Sequence, residues 1–237
     1  MHKKKTFFMT NEQTHLLKIA PEDLVSLSAL EPEHNIRIEL AYARSDNLLL
    51  GEPVYRSDAQ LWAHKDLAAI VLKAAESLKA QNLRLIVYDC LRTTDTQALM
   101  LQTQRVKDHP HWLEEPRLLS PPGTGAHPRG MAVDCALETF EGELLDMGTP
   151  FDFLCDDPSP KANPAHRQHP NLSPQVMQNR RILDQALGQA AEELGLPLWP
   201  LTQEWWDFRF PSEVSERYAP LSDADLPPEM RLALRSR

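Results

Sequence analysis

Gly125-Ala126-His127-Pro128-Arg129-Gly130-Met131-Ala132-Val133-Asp134 is the stretch whose reading decides the fold. It leaves a Pro- and Gly-rich loop, passes a glycine bend, and enters an apolar run that continues through Cys135-Ala136-Leu137. That run predicts a strand over residues 131–137. A carboxylate in the middle of a buried strand is costly unless a cation or donors compensate it. Gly130 lets the backbone fold so that His127 and Asp134 converge. Taken alone, His127 reads as a loop histidine and Asp134 as a hydrogen-bonding residue. The sharper reading is that the two close on one metal ion.

A second acidic pair lies far downstream, in Glu204-Trp205-Trp206-Asp207. Taken alone, this is an aromatic core segment with two incidental surface acids. In a regular strand a separation of three would place Glu204 and Asp207 on opposite faces. A bulge or turn would let both reach one cavity, where the indoles supply dry walls that strengthen electrostatics. Together the two segments hold what a mononuclear metal hydrolase needs. His127, Asp134 and Asp207 are three candidate ligands, and Glu204 is a carboxylate placed to take a proton from water.

Composition bounds the remaining classes. The chain has 237 residues, enough to bury a substantial core, with 42% hydrophobic and 25% charged residues, ordinary values for a globular protein. Twenty-five basic residues against 34 acidic ones give a net charge of −9, which argues against a nucleic-acid partner. Lys3-Lys4-Lys5 is followed by only Phe7, Phe8 and Met9 before polar residues, too short for an export signal. No apolar run of about 18 residues exists, so no membrane span is expected. Cys90, Cys135 and Cys155 are odd in number and lack CxxC spacing, which fits reduced thiols in a cytoplasmic protein. The expected organisation is a loose leader over residues 1–20 and a single domain over 21–237.

Periodicity supplies the elements. Residues 35–40 alternate as a strand. Ser57 to Asn82 reads as one helix opened by a Ser57/Gln60 capping box. Leu83 to Tyr88 is a strand, and Thr94 with Gln97 opens a helix to about Asp108. Residues 109–126 and 151–172 are loops. Ser173 caps a helix with Pro174 at its first position and Gly195 past its end, and residues 198–210 carry the last core strand. The fold class expected is α+β, helices packed on a mainly antiparallel sheet.

The chain resembles the metallopeptidase group that contains lysostaphin-type enzymes, D-Ala-D-Ala peptidases and the hedgehog signalling fold. Within it, the chain looks most like the D-alanyl-D-alanine dipeptidases of the vancomycin-resistance type. That pattern is Ser-x-His-x-x-Gly-x-Ala-x-Asp followed by Glu-x-Trp-His, and His127, Gly130, Ala132, Asp134, Glu204 and Trp206 stand in register with it. Tyr42-Ala43 with Asp46-Asn47 and Gly51, Tyr88 to Arg92, Met147 to Asp152, and Gln178 to Arg181 match further segments. The similarity covers roughly residues 35–215.

The resemblance implies one zinc ion, or another divalent metal, held by His127 and Asp134, with Asp207 where the family has its second His. It implies Glu204 as general base and Arg92 steadying the scissile carbonyl. Asp152, with Tyr42, would hold the free ammonium of a dipeptide such as D-Ala-D-Ala. Replacing an imidazole by Asp207 makes the metal centre less positive, so its water is less acidified. His166 or His169 stand in reserve as alternative ligands. Gly125 in place of Ser, and Cys90-Leu91-Arg92-Thr93 in place of Gly-Tyr-Arg-Pro, reshape the substrate wall. Two alternatives stay open: a carboxypeptidase or amidase on longer peptidoglycan fragments, and a catalytically silent binding domain of the same fold. Oligomeric state is not legible.

Overall fold

The computed structural model describes residues 16–115 and 117–234. Its centre is a five-stranded sheet in the order β2-β4-β5-β7-β6. The strands are β2 (Ile36–Ile38), β4 (Leu83–Asp89), β5 (Ala132–Thr139), β6 (Trp199–Pro200) and β7 (Asp207–Arg209). β2 runs parallel to β4, and every other pairing in the sheet is antiparallel. A two-stranded ribbon joins β1 (Leu24–Ser26) to β3 (Trp62–His64). Helices α2 (Lys65–Leu78) and α5 (Pro174–Leu194) pack on each other and against β4 and β5. Short helices α1 (Leu27–Leu30), α3 (Thr94–Met100), α4 (Gln104–Asp108) and α6 (Ser212–Ser215) serve the connections. This is the α+β architecture expected from the sequence. The central strands are buried on both faces, with Leu85, Ile86, Val87, Val133, Cys135 and Leu137 fully enclosed.

Several boundaries differ from the sequence reading, each for a local reason. The helix expected from Ser57 begins at Lys65, capped by His64, whose Nδ1 accepts from the Asp66 amide at 3.3 Å. Residues 62–64 are claimed instead by pairing with β1, a three-residue strand too short to show a period. Gln60 does not cap the helix; its side-chain oxygen accepts from the Ser26 hydroxyl. The helix expected over 94–108 breaks at 101–103. There the Thr103 hydroxyl donates to the Met100 carbonyl and opens a new turn. The single last strand is a hairpin in which β6 returns along β7, leaving residues 201–206 as a turn.

Residues 1–15 of the expected leader lie outside the described residues. Residues 16–20 are not loose. Leu17 exchanges backbone hydrogen bonds with Arg217 and Ala219 at 2.7 and 2.8 Å, and Ile19 is buried. None of the three cysteines is in a disulfide.

A candidate metal centre and its cavity

β4, β5 and β7 each carry an aspartate at matching register, Asp89 opposite Asp134 and Asp134 opposite Asp207. Directly paired residues on neighbouring strands share a face, so the sheet builds a row of three buried carboxylates. The row depends on one irregularity. The register of β4 against β5 shifts between Val87 and Asp89, and the extra residue puts Asp89, not Tyr88, opposite Asp134.

The three carboxylates are satisfied differently. Asp89 accepts from the Tyr55 hydroxyl at 2.6 Å and from Arg92 Nε at 2.8 Å. Asp207 is gripped across both oxygens by the Arg209 guanidinium. Asp134 accepts one 3.3 Å bond from Arg92 through Oδ2, while its buried Oδ1 has no hydrogen-bond partner among the described residues. Glu138 on the same strand shows the contrast. It is equally buried but ion-paired to both Arg37 and Arg84 at 2.9 Å. An orphaned carboxylate oxygen beside a saturated neighbour suits a cation or another donor.

His127 faces that oxygen. It opens a single 3-10 turn that Gly130 ends with φ +62°. A Cβ at Gly130 would stand 2.9 Å from the His64 amide nitrogen, so only glycine allows β3 to approach so closely. Imidazole Nδ1 donates to the Cys90 carbonyl at 2.8 Å, which leaves Nε2 as the lone-pair nitrogen of the neutral ring. Nε2 lies 3.5 Å from Asp134 Oδ1 and 3.4 Å from Asp207 Oδ2. These spacings are long for hydrogen bonds. They match the edge, about 3.3 Å, of a ligand tetrahedron with 2.0–2.1 Å metal bonds.

Asp89, His127 and Asp134 also offer atoms within 4.8 Å of one another. In that trio His127 Nδ1 is committed to Cys90, and Asp89 is engaged through both oxygens, as Asp207 is by Arg209. Asp89 also aims Arg92. His127 Nε2 lies at ligand-edge distance from both Asp134 Oδ1 and Asp207 Oδ2, so the donors present could hold one divalent ion through His127, Asp134 and either Asp89 or Asp207.

The electrostatics agree with a site shaped for positive charge. Burial opposes charging of His127, but Asp134 and its neighbours outweigh it and push the ring up to about 10. Burial, then the charge of Asp207, pushes Glu204 up to about 8. Burial is the main cause that raises Asp134, and it lifts Asp152 well above the usual carboxylate range. Burial also acts on Asp207, yet Arg209 overrides it and holds that carboxyl low.

Further residues complete a cavity of about 70 Å³ lined by Tyr42, Arg92, His127, Asp134, Asp152, Glu204 and Asp207, all seven residues singled out in the sequence. Arg92 lies over the Tyr42 ring, 4.8 Å from its centroid, and donates to the Tyr42 hydroxyl at 3.3 Å. Tyr42 in turn donates to Asp152 Oδ1 at 3.1 Å, while Asp152 Oδ2 is buried with no hydrogen-bond partner among the described residues. Glu204 sits in the turn before β7, which resolves the spacing problem posed by its separation from Asp207. Trp206 forms one wall and meets Phe151 edge-on at 5.6 Å. Neither His166 nor His169 lines the cavity. Their Nδ1 atoms bond to the Gln168 amide and the Pro160 carbonyl.

Three partners were missed in the sequence: Tyr55, the Cys90 carbonyl and Arg209. The first two are tertiary contacts with no local signal. Arg209 was legible, since two residues beyond Asp207 on a strand means the same face.

The family described as D-Ala-D-Ala dipeptidase matches residues 22–223. The D-alanyl-D-alanine dipeptidase of Escherichia coli (strain K12) is 29% identical over 194 residues, covering 81% of this chain and 87% of that protein. Two solved structures are similar at lower identity. The L-Ala D-Glu endopeptidase ChiX of Serratia marcescens is 17% identical with a TM-score of 0.38, over 78% of this chain and 96% of its own. A vancomycin-resistance D,D-pentapeptidase VanY variant in complex with Zn(II) is 14% identical with a TM-score of 0.37, over 66% and 78%.

Proposed function

The chain belongs to the D-Ala-D-Ala dipeptidase family, and from that premise we propose that it is a zinc-dependent dipeptidase cleaving D-Ala-D-Ala or a closely similar dipeptide. The observation that carries this reading is a pair of buried, unpartnered carboxylate oxygens in one cavity, Asp134 Oδ1 and Asp152 Oδ2. One faces His127 Nε2 and suits a cation; the other belongs to the Tyr42-bonded wall and suits an ammonium.

His127, Asp134 and Asp207 would hold the ion. Bound there, it would acidify a water and polarise the scissile carbonyl. Glu204, in the same cavity, would accept the water's proton as the new C–O bond forms. It returns that proton to the leaving amine as the C–N bond breaks. Arg92, fixed by Asp89 and Tyr42, faces the oxygen on which negative charge develops. Asp152 and Tyr42 bind the free amino group, and so select a dipeptide over an internal or blocked peptide. Trp206 lines the cavity and is backed edge-on by Phe151. A small soluble substrate suits a chain in which, among the described residues, no helix is long and apolar enough to cross a membrane.

The test is release of D-alanine by the metal-loaded protein. Glu204→Gln is expected to lower kcat by about a thousandfold or more while the ion stays bound. Turnover surviving in that variant sinks the general-base role. N-acetyl-D-Ala-D-Ala is expected to be a poor substrate. Equal turnover of the blocked and free dipeptides would make the protein a carboxypeptidase.

A further inference from the structure

Asp207 and Arg209 stand two apart on β7 and share a face. Arg209 Nε donates to Asp207 Oδ1 at 2.8 Å, and its second arm reaches Oδ2, so the guanidinium forks across the whole carboxylate. The Asp207 side chain is 1% exposed and that of Arg209 28% exposed, and both line the cavity. A carboxylate oxygen carries two lone pairs. Oδ2 can bond Arg209 with one and present the other toward the space it shares with His127 Nε2, 3.4 Å away.

The fork does two things. It fixes the plane of the carboxylate, as a bidentate arginine pair does. It also changes the charge of the centre. A divalent ion with one imidazole and two carboxylates is formally neutral, whereas a second imidazole in place of Asp207 would leave one positive charge. Arg209 supplies that missing positive charge within hydrogen-bond distance of the ligand.

We propose that Asp207 and Arg209 act as one unit in place of an imidazole, the carboxylate serving as ligand through Oδ2 and Arg209 as the positioning residue that orients it and offsets its charge. This rests on the metallopeptidase reading above. It follows that Asp207→His by itself does not build a better site. It adds a neutral ligand while leaving Arg209 without its carboxylate, and the stranded guanidinium repels the ion.

The experiment measures zinc and cobalt affinity by competition with a chromophoric chelator, for the native protein, Asp207→His, Arg209→Met and the double variant. Asp207→His is expected to bind at least about tenfold more weakly than native, and adding Arg209→Met to recover most of that loss, the coupling expected of residues acting as a pair. Arg209→Met alone is expected to change affinity less than Asp207→His does, because lost orientation of the carboxylate and removal of a like charge act in opposite directions. Circular dichroism checks folding, and the nearly isosteric Asp207→Asn replaces Asp207→His in both backgrounds if the latter does not fold. The inference is overturned if Asp207→His binds as tightly as native or if the double variant recovers nothing. Native protein that binds an ion without this coupling sinks the inference and leaves the metallopeptidase reading intact. Failure of all four proteins to bind any ion removes both.

Discussion

One carbonyl decides what His127 can do. By accepting a hydrogen bond from Nδ1, the Cys90 carbonyl turns Nε2 toward Asp134 and Asp207, and the acids there push the ring up to about 10 against burial. The consequence has a definite sign. A histidine pKa raised above its unfolded value of about 6.5 stabilises the ion-free fold fully below that value, and the contribution is lost as pH climbs through about 10. Ion uptake must expel the proton, so affinity is expected to rise at least about tenfold per pH unit through the neutral range. Calorimetry in buffers of different ionisation heat should show at least about one proton released per ion near pH 8; release of none would exclude His127 as a ligand. Asp152 is the second test at this scale. Asp152→Asn keeps its shape but loses the counter-charge for an ammonium, so KM for the free dipeptide is expected to rise about tenfold or more with kcat less affected.

Elements place these side chains through two devices, a glycine hinge and a gripped turn. At Gly130 the left-handed backbone and the nearby His64 amide leave no room for a Cβ. Gly130→Ala is therefore expected to cost about 2–4 kcal/mol in urea denaturation, and to weaken ion binding because the same turn carries His127. The turn over residues 201–206 is held from outside by the long loop. Arg167 donates to the Leu201 and Trp205 carbonyls at 2.8 Å and to the Asp207 carbonyl at 3.2 Å, and Asn163 donates to the Gln203 carbonyl at 2.9 Å. These bonds bracket Glu204 on both sides. Arg167→Met is expected to lower kcat about 10- to 100-fold through misplacement of that carboxylate, with KM changed far less, since Tyr42 and Asp152 stand on other segments. A parallel loss in KM would mean that the loop shapes the substrate wall as well.

Across the whole molecule, the three proposed ligands come from a 3-10 turn and two neighbouring strands, and the other cavity groups from segments near residues 42, 92 and 152. Such a set exists only in the folded chain, so an ion bound to it stabilises the fold by mass action. At free ion one hundredfold above Kd this is worth about 2.7 kcal/mol, or roughly 5–10 °C in Tm for a chain of this length. Removal of the ion with a chelator is expected to lower Tm by that amount, and addition of zinc to restore it. No shift in either direction would mean the carboxylate row does not bind a metal. The sheet keeps this arrangement stiff. β4 and β5 are enclosed by α2 and α5, and the acid at the far end of β5, Glu138, is neutralised by Arg37 and Arg84.

The amino-acid sequence by itself determined the α+β class, the strand around Asp134, the capped helix from Pro174, and the seven residues that line one cavity. The strand and the helix are written in local patterns, an acid inside an apolar run and Ser before Pro at a helix start, whereas Tyr42, Arg92 and Asp152 were singled out by the family resemblance. The short strands β1, β3 and β6 stayed hidden, and with them the correct start of α2 and the hairpin that carries Glu204. A segment that short has no period, and only its partner across the sheet makes it a strand. The tertiary structure alone decided which oxygens are left unpartnered, which nitrogen of His127 is turned inward, and that Asp207 never stands without Arg209. These depend on hydrogen bonds between residues distant in the chain and on a one-residue register shift in β4.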